Sequence, residues 1–525
     1  MKSRVYDIPQ ITFGEKLSNL AKLYADKIAI IEKGKKYTYS ELEEKVERLA
    51  SGYREIGIKR DDHVLIQLPN TAGCIFTIFA LAKIGAVPIM GLPSQREGDF
   101  KSIIELTKPT TYIAAENHLG FNYVEFGSKL QEKYPFIKNL VFDGISEKHY
   151  TINALCNIQA KQVTETINPQ SIVFLLLSGG TTNTPKLIPR THADYLYNAE
   201  KAALRCGMDK DTIYLTSLPI EHNFTLGNAG IMGTFLSGGS VVLSKTSSPD
   251  ELLELIAKEK VTHTGMVPAV ASLCMDMLEW WDEGDISSWK VLQVGGSVLE
   301  ESVAKRIMET LPCKLQQTFG VAEGLVCMTK LDDKDEVILK CQGKPASELD
   351  EICIVDENGN CLKNGEYGEL LTRGPYTIHG YYAAEEVNKR SFTEDGFYRT
   401  GDKATILSDG NLVVTGRITE QINRGGEKIM PIEIETYLCK HPQIKEAYVV
   451  GIPDEMYGNA VCGFVLTEDD ETLELVSVNA FLNEMGIAEY KRLDHLMMVE
   501  GFPLTNVGKV NKKQLVKLAI EMIKN

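Results

Sequence analysis

The residues best suited to chemistry form a Gly/Thr-rich loop that follows an apolar run and ends at a lysine. Glycines let the backbone approach an anion, threonine hydroxyls donate hydrogen bonds, and lysine adds a positive charge. The loop contributes Ser178, Gly179, Gly180, Thr181, Thr182, Thr184 and Lys186. This composition predicts a cradle for a polyphosphate, although a plain turn after a buried strand has a similar composition.

The loop differs from the phosphate loop of kinases and GTPases. That pattern, GxxxxGK[ST], requires a glycine directly before the lysine. Pro185 occupies this position. Kinases and P-loop GTPases are therefore excluded, and a phosphate-binding loop of another class is expected.

The net charge and composition of the chain exclude some classes of binding partner. The 525-residue chain has a net charge of −16, which opposes binding to nucleic acids or anionic lipid surfaces. No segment approaches the ~18 uninterrupted apolar residues of a membrane span, and no secretory signal is visible. We therefore expect a cytoplasmic protein with small or locally docked partners. Its 11 cysteines lack CxxC pairs and zinc-ligand spacing, which favours reduced, mostly buried thiols.

Elements that position this loop follow from the hydrophobic pattern. Apolar runs of strand length, such as residues 63–70, alternate with helical periodicity such as Ala80, Lys83 and Ile84. The alternation recurs in residues 212–223, 239–260, 261–270 and 289–311. It predicts βαβ units and hence an α/β fold, with a large N-terminal domain of mainly parallel sheets covered by helices.

The pattern changes after Gly343. Short β-rich pieces separated by Gly/Asp/Asn turns continue to about Arg417 and predict a small antiparallel module. A loop, a helix, a strand and a final basic helix then predict a small α+β domain. We place the boundary at Ile418 to Gln421, which divides the chain into residues 1–418 and 419–525.

Five motifs together resemble the adenylate-forming superfamily, whose members include acyl- and aryl-CoA synthetases, adenylation domains of peptide synthetases, and luciferases. The motifs are SGGTTNTPK (178–186), FGVAEG (319–324), YRTGD (398–402), GRITEQINRGGEK (416–428) and NVGKV (506–510). They occur in the family's order and spacing over almost the whole chain. The resemblance implies that a carboxylate attacks the α-phosphorus of ATP to give an acyl-adenylate, and that a thiol then takes the acyl group.

The resemblance also assigns roles for binding ATP and Mg²⁺. Glu323 matches the Mg²⁺ ligand, Asp402 the ribose-binding carboxylate, and Arg417 a second nucleotide contact. Further expected nucleotide contacts are Gly295 and Gly296, against which adenine packs, and Thr318, Phe319 and Gly320. Lys186 is expected to serve catalysis with Glu323.

Two C-terminal residues receive roles in the same way. Lys509 matches the family's mobile catalytic lysine, which bridges the carboxylate and the α-phosphate. Glu420 lies at the hinge about which a mobile C-terminal domain turns between half-reactions, where Asp or Lys is common. The loop from Arg424 to Lys428 matches the segment that enters the site for the thiol step.

The substrate site is expected around residues 218–228. An Asp after the histidine would pair with an amino acid's ammonium group, but this chain has Asn223. The stretch resembles stand-alone 2,3-dihydroxybenzoate or salicylate AMP ligases of siderophore pathways. His222 and Val326 fit that subfamily, whereas Phe224, Asn228 and Thr318 replace its usual Tyr, Ser and Val. Core packing alone would also explain Phe224, Thr318 and Val326.

The resemblance implies an aromatic carboxylic acid as substrate and the phosphopantetheine arm of an aryl carrier protein as acceptor. An aryl- or acyl-CoA synthetase, with coenzyme A as acceptor, is the alternative because both share the adenylation motifs. A nucleotide-binding protein without catalysis is a remote third possibility, since it would have little use for both Glu323 and Lys509.

Overall fold

A computed structural model gives the structure of most of the chain. The described residues are 6–161, 166–178, 186–281, 284–424, 427–454, 457–467, 472–485, 487, 489–505 and 508–524.

The strands, in chain order, are β1 (Ile28–Glu32), β2 (Lys35–Thr38), β3 (His63–Gln67), β4 (Val87–Met90), β5 (Thr111–Ala115), β6 (Asn117–His118), β7 (Phe121–Asn122), β8 (Asn139–Asp143), β9 (Tyr150–Thr151), β10 (Ile172–Leu177), β11 (Leu187–Thr191), β12 (Ile213–Thr216), β13 (Ser240–Leu243), β14 (His263–Met266), β15 (Val291–Val294), β16 (Lys314–Val321), β17 (Leu325–Met328), β18 (Lys344–Pro345), β19 (Glu351–Val355), β20 (Gly368–Arg373), β21 (Tyr398–Ile406), β22 (Leu412–Arg417), β23 (Ile422–Arg424), β24 (Glu427–Ile429), β25 (Ile444–Asp454), β26 (Gly458–Thr467) and β27 (His495–Met498).

The α-helices are α1 (Phe13–Leu23), α2 (Tyr39–Glu55), α3 (Ala72–Ile84), α4 (Glu97–Thr107), α5 (Tyr123–Lys133), α6 (Ile152–Leu155), α7 (His192–Arg205), α8 (Asn223–Gly227), α9 (Gly230–Leu236), α10 (Pro249–Glu259), α11 (Pro268–Leu278), α12 (Glu301–Thr310), α13 (Asp335–Lys340), α14 (Glu385–Ser391), α15 (Pro431–Leu438), α16 (Leu475–Glu484) and α17 (Lys512–Lys524). Within the described residues, 3₁₀ turns cover Ile418–Glu420 and Glu489–Lys491.

Two mainly parallel sheets build the N-terminal domain. Their strand orders are β18-β17-β16-β15-β14-β12-β13-β1-β2 and β11-β10-β4-β3-β5-β8-β9. Helix α3 is almost entirely apolar and buried, and it packs in a core with residues from both sheets. A helix that is apolar on every face can be stable only in such an interior. The predicted α/β fold with a large parallel-sheet domain is confirmed.

Two smaller units complete the chain. Strands β19 to β22 form an antiparallel sheet in sequence order, which is the predicted β module. In the C-terminal domain, β25, β26 and β27 form a sheet packed by α15, α16 and α17. The small α+β domain is thus confirmed, while the exact boundary at Ile418 to Gln421 stays a prediction.

The C-terminal domain contacts the N-terminal domain through polar side chains. The Lys445 ammonium lies 2.9 Å from a carboxylate oxygen of Asp276, which also pairs with Arg306 at 2.7 Å. The Thr436 hydroxyl donates a hydrogen bond of 3.1 Å to Glu300. Across the described ranges, no helix is both long enough and apolar enough to span a bilayer.

Candidate active site

The ends of the predicted phosphate loop are held together. Ser178 follows β10 and Lys186 precedes β11, and these strands pair antiparallel. The Ser178 N–H donates to the Lys186 carbonyl (2.9 Å), and the Lys186 N–H donates to Ser178 Oγ (3.0 Å). Gly179, Gly180, Thr181, Thr182 and Thr184 lie outside the described residues, so their phosphate contacts stay predictions.

Lys186 extends toward the predicted metal ligand. Its ammonium lies 4.7 Å from the ring centroid of Tyr381, whose hydroxyl donates to Glu323 Oε1 at 2.7 Å. Burial lowers the pKa of Lys186, and the nearby charge of Glu323 opposes this shift. The lysine and the glutamate, 137 positions apart in the sequence, therefore share one site.

Glu323 is held in a buried turn between β16 and β17. Its exposed fraction is only 8%, and Gly324 follows it with φ of +122°. A Cβ at Gly324 would lie 2.1 Å from the Tyr376 carbonyl oxygen, so only glycine fits this turn. The hydroxyl of a second tyrosine, Tyr398, lies 3.0 Å from the Tyr381 hydroxyl, and the two form a hydrogen bond.

The donor set agrees with a phosphate-bound Mg²⁺. A hard cation prefers carboxylate oxygen, and it commonly takes its remaining ligands from phosphates and water. Among the residues that the structure describes, no three His, Cys, Asp or Glu side chains form a metal cluster. Glu323 is the carboxylate at this site that could hold such a metal.

Asp402 and Arg417 face each other across β21 and β22. Arg417 Nε lies 3.0 Å from Asp402 Oδ1, and Arg417 Nη1 donates to the Thr400 carbonyl at 2.6 Å. Asp402 is 4% exposed, and its Oδ2 is buried without a hydrogen-bond partner among the described residues. A buried acceptor normally has a donor, so this oxygen is open for a ligand hydroxyl.

The predicted adenine slot lies at the carboxyl end of β15. A Cβ at Gly295 would lie 2.5 Å from Thr318 Cγ2 and 2.6 Å from the Thr318 carbonyl oxygen. Gly296 has φ of +87°, which favours glycine. The glycines are explained by these close approaches, and adenine packing on them stays a prediction. Phe319 is half-buried and Gly320 exposed on the adjoining strand β16.

Lys509 reaches the same place from the C-terminal domain. A Cβ built on Gly296 would lie 3.2 Å from Lys509 Cε. The Thr505 N–H donates to the Lys509 carbonyl (2.5 Å), and the Lys509 N–H donates to the Thr505 hydroxyl (3.1 Å). These two hydrogen bonds close the loop that carries Lys509. Burial lowers the pKa of Lys509, as does the charge of Arg417, while Asp402 opposes the shift. Asn506 and Val507 of this motif lie outside the described residues.

The expected substrate-binding residues begin at the N-terminus of α8. His222 Nδ1 accepts a hydrogen bond from the Phe224 N–H at 3.2 Å. Burial lowers the pKa of His222 to about 3, with a further contribution from the charge of Lys509. The imidazole is therefore neutral at physiological pH. Asn223 Oδ1 accepts a hydrogen bond of 2.9 Å from the Tyr195 hydroxyl, which orients the amide.

The other expected pocket residues are buried close to one another. Asn228 Nδ2 donates to Thr318 Oγ1 at 3.0 Å, whereas Asn228 Oδ1 is buried with no partner in the described part of the chain. A Cβ at Gly320 would lie 3.7 Å from Val326 Cγ2 and 3.8 Å from Asn228 Nδ2. Phe224 is 6% exposed and packs in an apolar cluster. Their roles in substrate recognition stay predictions.

Glu420 lies in the short 3₁₀ turn between the domains. Its carboxylate is 3.5 Å from the Lys512 ammonium, which also lies 3.1 Å from Glu435. This ion pair links the predicted hinge to α17. Of the loop expected to serve the thiol step, Gly425 and Gly426 lie outside the described residues.

Sequence reasoning missed the tyrosines that hold these side chains. Tyr195 orients Asn223, and Tyr381 bonds Glu323. Tyr195 lies in the first turn of helix α7 and Tyr381 in a loop, where no motif distinguishes them from other aromatic residues. Tyr398 could have been predicted as a site residue, because it is the first residue of the YRTGD motif.

The fold and site define the class of protein. Lys186, the buried Asp402 carboxylate with its unpaired oxygen, and Lys509 from the C-terminal domain meet around Arg417, which is the arrangement expected of enzymes that adenylate carboxylic acids. Residues 17–382 match the model of the AMP-binding enzyme family, and residues 433–509 match that of the AMP-binding enzyme C-terminal domain. The chain belongs to the AMP-binding enzyme family, whose ligases use ATP.

Several curated relatives span nearly the whole chain. The 2,3-dihydroxybenzoate-AMP ligase of Bacillus subtilis (strain 168) is 43% identical over 96% of this chain and 93% of its own. The salicylyl-CoA synthase / salicylate adenylyltransferase of Streptomyces sp is 40% identical over 96% of this chain and 92% of its own. The salicyl-AMP ligase / salicyl-S-ArCP synthetase of Mycobacterium tuberculosis (strain ATCC 25618 / H37Rv) is 38% identical (95% and 89%). This chain is similar to ligases of aryl acids in each case.

We predict that Lys509→Ala nearly abolishes adenylate formation. In the role that the motif implies, its ammonium stabilises charge that develops at the α-phosphate, and losing such a group costs on the order of 10² to 10³ in rate. The measurement is ATP–pyrophosphate exchange, with Lys517→Ala as a control that removes an exposed charge from the same domain. Thioester formation from synthetic adenylate should stay largely intact; parallel loss of both reactions contradicts this role.

Nucleotide binding should weaken at acid pH through Asp402. Burial raises the pKa of Asp402 to about 6, against the opposing charge of Arg417. The carboxylate is therefore ionised above pH 6 and protonated below it, where it accepts ribose hydroxyls less well. We expect the Kd for adenosine, measured by calorimetry, to rise by up to about tenfold per pH unit below 6. Adenosine has no phosphate to titrate in this range.

Asp402→Asn is the matched variant for this experiment. Its amide does not titrate, so adenosine should bind more weakly than to the parent protein at pH 8 and without the acid-dependent loss. A variant that keeps the full pH dependence would assign the titration to another group.

We predict that Glu420→Pro slows thioester formation more than adenylation, by about tenfold or more. Proline fixes φ and thereby restricts rotation at the hinge. Single-turnover thioester formation and pyrophosphate exchange measure the two steps separately. Glu420→Gln is the control, because it removes the charge facing Lys512 but leaves the backbone free. Equal impairment of both steps by proline would argue against the hinge.

Proposed function

We propose that the protein activates an aromatic carboxylic acid with ATP and transfers the aryl group to the phosphopantetheine thiol of an aryl carrier protein. The preferred acid is 2,3-dihydroxybenzoate or a related hydroxybenzoate. The observation that carries this proposal is Asn223, a neutral amide held by Tyr195 where an amino-acid substrate would need a carboxylate. Tyr195 occupies Oδ1, so the amide N–H₂ is the group left to meet a ring hydroxyl.

The polar pair at the base of the pocket supports selection by ring substituents. Asn228 uses its N–H to bond Thr318, and its buried Oδ1 has no partner among the described residues. An unpaired buried acceptor costs about 1 to 3 kcal/mol. A substrate hydroxyl that donates to this oxygen would recover that free energy, whereas an unsubstituted ring would not.

In the proposed adenylation step, cationic side chains offset the negative charge of the reactants. The substrate carboxylate attacks the α-phosphorus and pyrophosphate leaves. Lys509 holds the carboxylate and the α-phosphate together, and Lys186 balances charge on the leaving phosphates. Asp402 and Arg417 orient the ribose. Glu323 would hold Mg²⁺, which when bound neutralises phosphate charge and polarises the breaking bond.

His222 contributes without carrying charge. Its depressed pKa keeps the imidazole neutral, with Nδ1 occupied by the Phe224 N–H. A neutral ring beside Lys509 avoids repulsion and leaves the lysine as the cation that attracts the substrate carboxylate. We therefore assign His222 to shaping the pocket wall rather than to proton transfer.

The acceptor thiol can belong to a carrier protein or to coenzyme A, because both present the same phosphopantetheine arm. The name of the Mycobacterium relative includes salicyl-S-ArCP synthetase, and that of the Streptomyces relative includes salicylyl-CoA synthase. We favour the carrier protein because residues 218–228 resemble the siderophore ligases, for which the resemblance implies an aryl carrier protein as acceptor. Coenzyme A is the alternative acceptor, and direct competition between the two thiols decides between them.

The proposal is tested by ATP–pyrophosphate exchange with a panel of acids at equal concentration. The panel comprises benzoate, salicylate, 2,3-dihydroxybenzoate, 3- and 4-hydroxybenzoate, aminobenzoates, cinnamates, fatty acids and the proteinogenic amino acids. We expect an ortho-hydroxybenzoate to exceed benzoate by at least about tenfold, since a pocket built for a hydroxyl rejects analogues without it. Exchange with fatty acids or amino acids alone would overturn the proposal.

Thr318→Val provides a matched variant for the same panel. Valine is nearly isosteric with threonine but removes the acceptor for Asn228 Nδ2. Both Nδ2 and Oδ1 of the Asn228 amide would then lack partners. We expect the ranking among hydroxybenzoates to change while exchange with benzoate changes little. An unchanged ranking would remove Asn228 and Thr318 from substrate recognition.

Asn223→Asp should shift preference toward amino acids. Tyr195 can donate to one oxygen of the new carboxylate, which leaves the other to pair with an ammonium group. We expect pyrophosphate exchange with aryl acids to fall and exchange with one or more amino acids to appear. Asn223→Ser, which adds no charge, is the control; an unchanged preference in Asn223→Asp would count against the assignment.

A further inference from the structure

Two cysteines of the small β module lie side by side at the protein surface. Cys353 is on β19 and Cys361 follows the next turn, with their sulfur atoms 2.8 Å apart. Cys361 is exposed and Cys353 half-buried, whereas most of the other cysteines are buried as free thiols. This pair is therefore an exception to the burial expected of most of the thiols.

A well-bonded turn brings the two thiols together. The Asp356 N–H donates to the Asn360 carbonyl, and the Gly359 N–H donates to the Asp356 carbonyl, both at 3.0 Å. The Leu362 N–H donates to the Ile354 carbonyl at 2.8 Å, and Val355 pairs with Cys361 in an antiparallel bridge. Because alternate residues of a strand share a face, Cys353 lies on the same face as Val355 and its partner Cys361.

We propose that Cys353 and Cys361 form a reversible dithiol–disulfide site that reacts with small disulfides. A disulfide bond is about 2.05 Å long, so small rotations about the side-chain bonds suffice to close it. The backbone hydrogen bonds of the turn hold the two segments that carry the thiols together. Oxidation would modify the protein at a surface separate from the adenylation site.

The accessible thiol starts the exchange. The Cys361 thiolate attacks a sulfur of the external disulfide, forms a mixed disulfide and releases one thiolate. Cys353 then loses its proton to solvent and attacks Cys361 Sγ, which releases the second external thiolate. Two protein thiols are oxidised, one external disulfide is reduced to two thiols, and the two protons end on those thiols. Burial and the contact with Cys361 raise the pKa of Cys353, which keeps it a thiol and leaves the first attack to the exposed Cys361.

The position predicts little effect on catalysis. Strand β19 is at the edge of its sheet, and β20 separates it from β21, which carries Asp402. The Arg373 guanidinium on β20 lies 2.8 Å from Glu351 and ties β19 to its neighbour. We expect pyrophosphate exchange to stay within about twofold on oxidation, and the melting temperature to rise because a cross-link restricts the unfolded chain.

The test treats the whole protein with bis(2-hydroxyethyl) disulfide and measures intact mass, reactive thiols and cross-linked peptides. We expect a mass loss of two hydrogen atoms, loss of two reactive thiols, a peptide linking Cys353 to Cys361, and full reversal by dithiothreitol. Persistent mixed adducts without a cross-link, or no reaction, would overturn the proposal.

Single variants separate the two steps. Cys353→Ser should stop at a stable mixed disulfide on Cys361, because the second thiol is missing. Cys361→Ser should show no cross-link and little adduct. Cys439→Ser is the control, since Cys439 is also half-buried but belongs to the C-terminal domain, and it should oxidise like the parent. A cross-link that persists in Cys353→Ser would assign the reaction to another pair.

Discussion

The burial of the Lys509 ammonium between two domains is the interaction on which this site depends. Removing a lysine from water disfavours its charged form, and here Arg417 adds to that cost while Asp402 and Glu420 oppose it. These charges act on Lys509 only when the C-terminal domain contacts the N-terminal domain, which carries Arg417 and Asp402. Incoming phosphate and carboxylate groups would complete the charge compensation that the protein alone leaves partial.

Seating of the C-terminal domain relies on polar contacts rather than a large apolar interface. Lys445 pairs with Asp276, and the Thr436 hydroxyl donates a hydrogen bond to Glu300. The apolar clusters of the C-terminal domain are its own. Exposed or half-exposed ion pairs contribute little individually, so such an interface can release and re-form without unfolding either domain. That property suits an enzyme with two successive reactions.

Much of the architecture was predictable because it rests on local patterns. The run at residues 63–70 became β3, and the apolar segment after it became α3, since strand and helix periodicities are properties of short segments. The motifs likewise located Glu323, Asp402 and Lys509. Tyr195 and Tyr381 were not predictable, because their roles come from hydrogen bonds to residues far away in the chain. The unpaired oxygen of Asn228 also required knowing which atom Thr318 occupies.

The sequence by itself determined the α/β class, the small C-terminal domain and the residue types available for phosphate, ribose and carboxylate binding. These follow from periodicity, glycine placement and motif spacing, all of which are written along the chain. Only the tertiary structure decided which groups meet, how deeply Asp402 and Lys509 are buried, and that Cys353 lies beside Cys361. Burial and proximity arise from packing between distant segments, and local sequence carries no direct record of them.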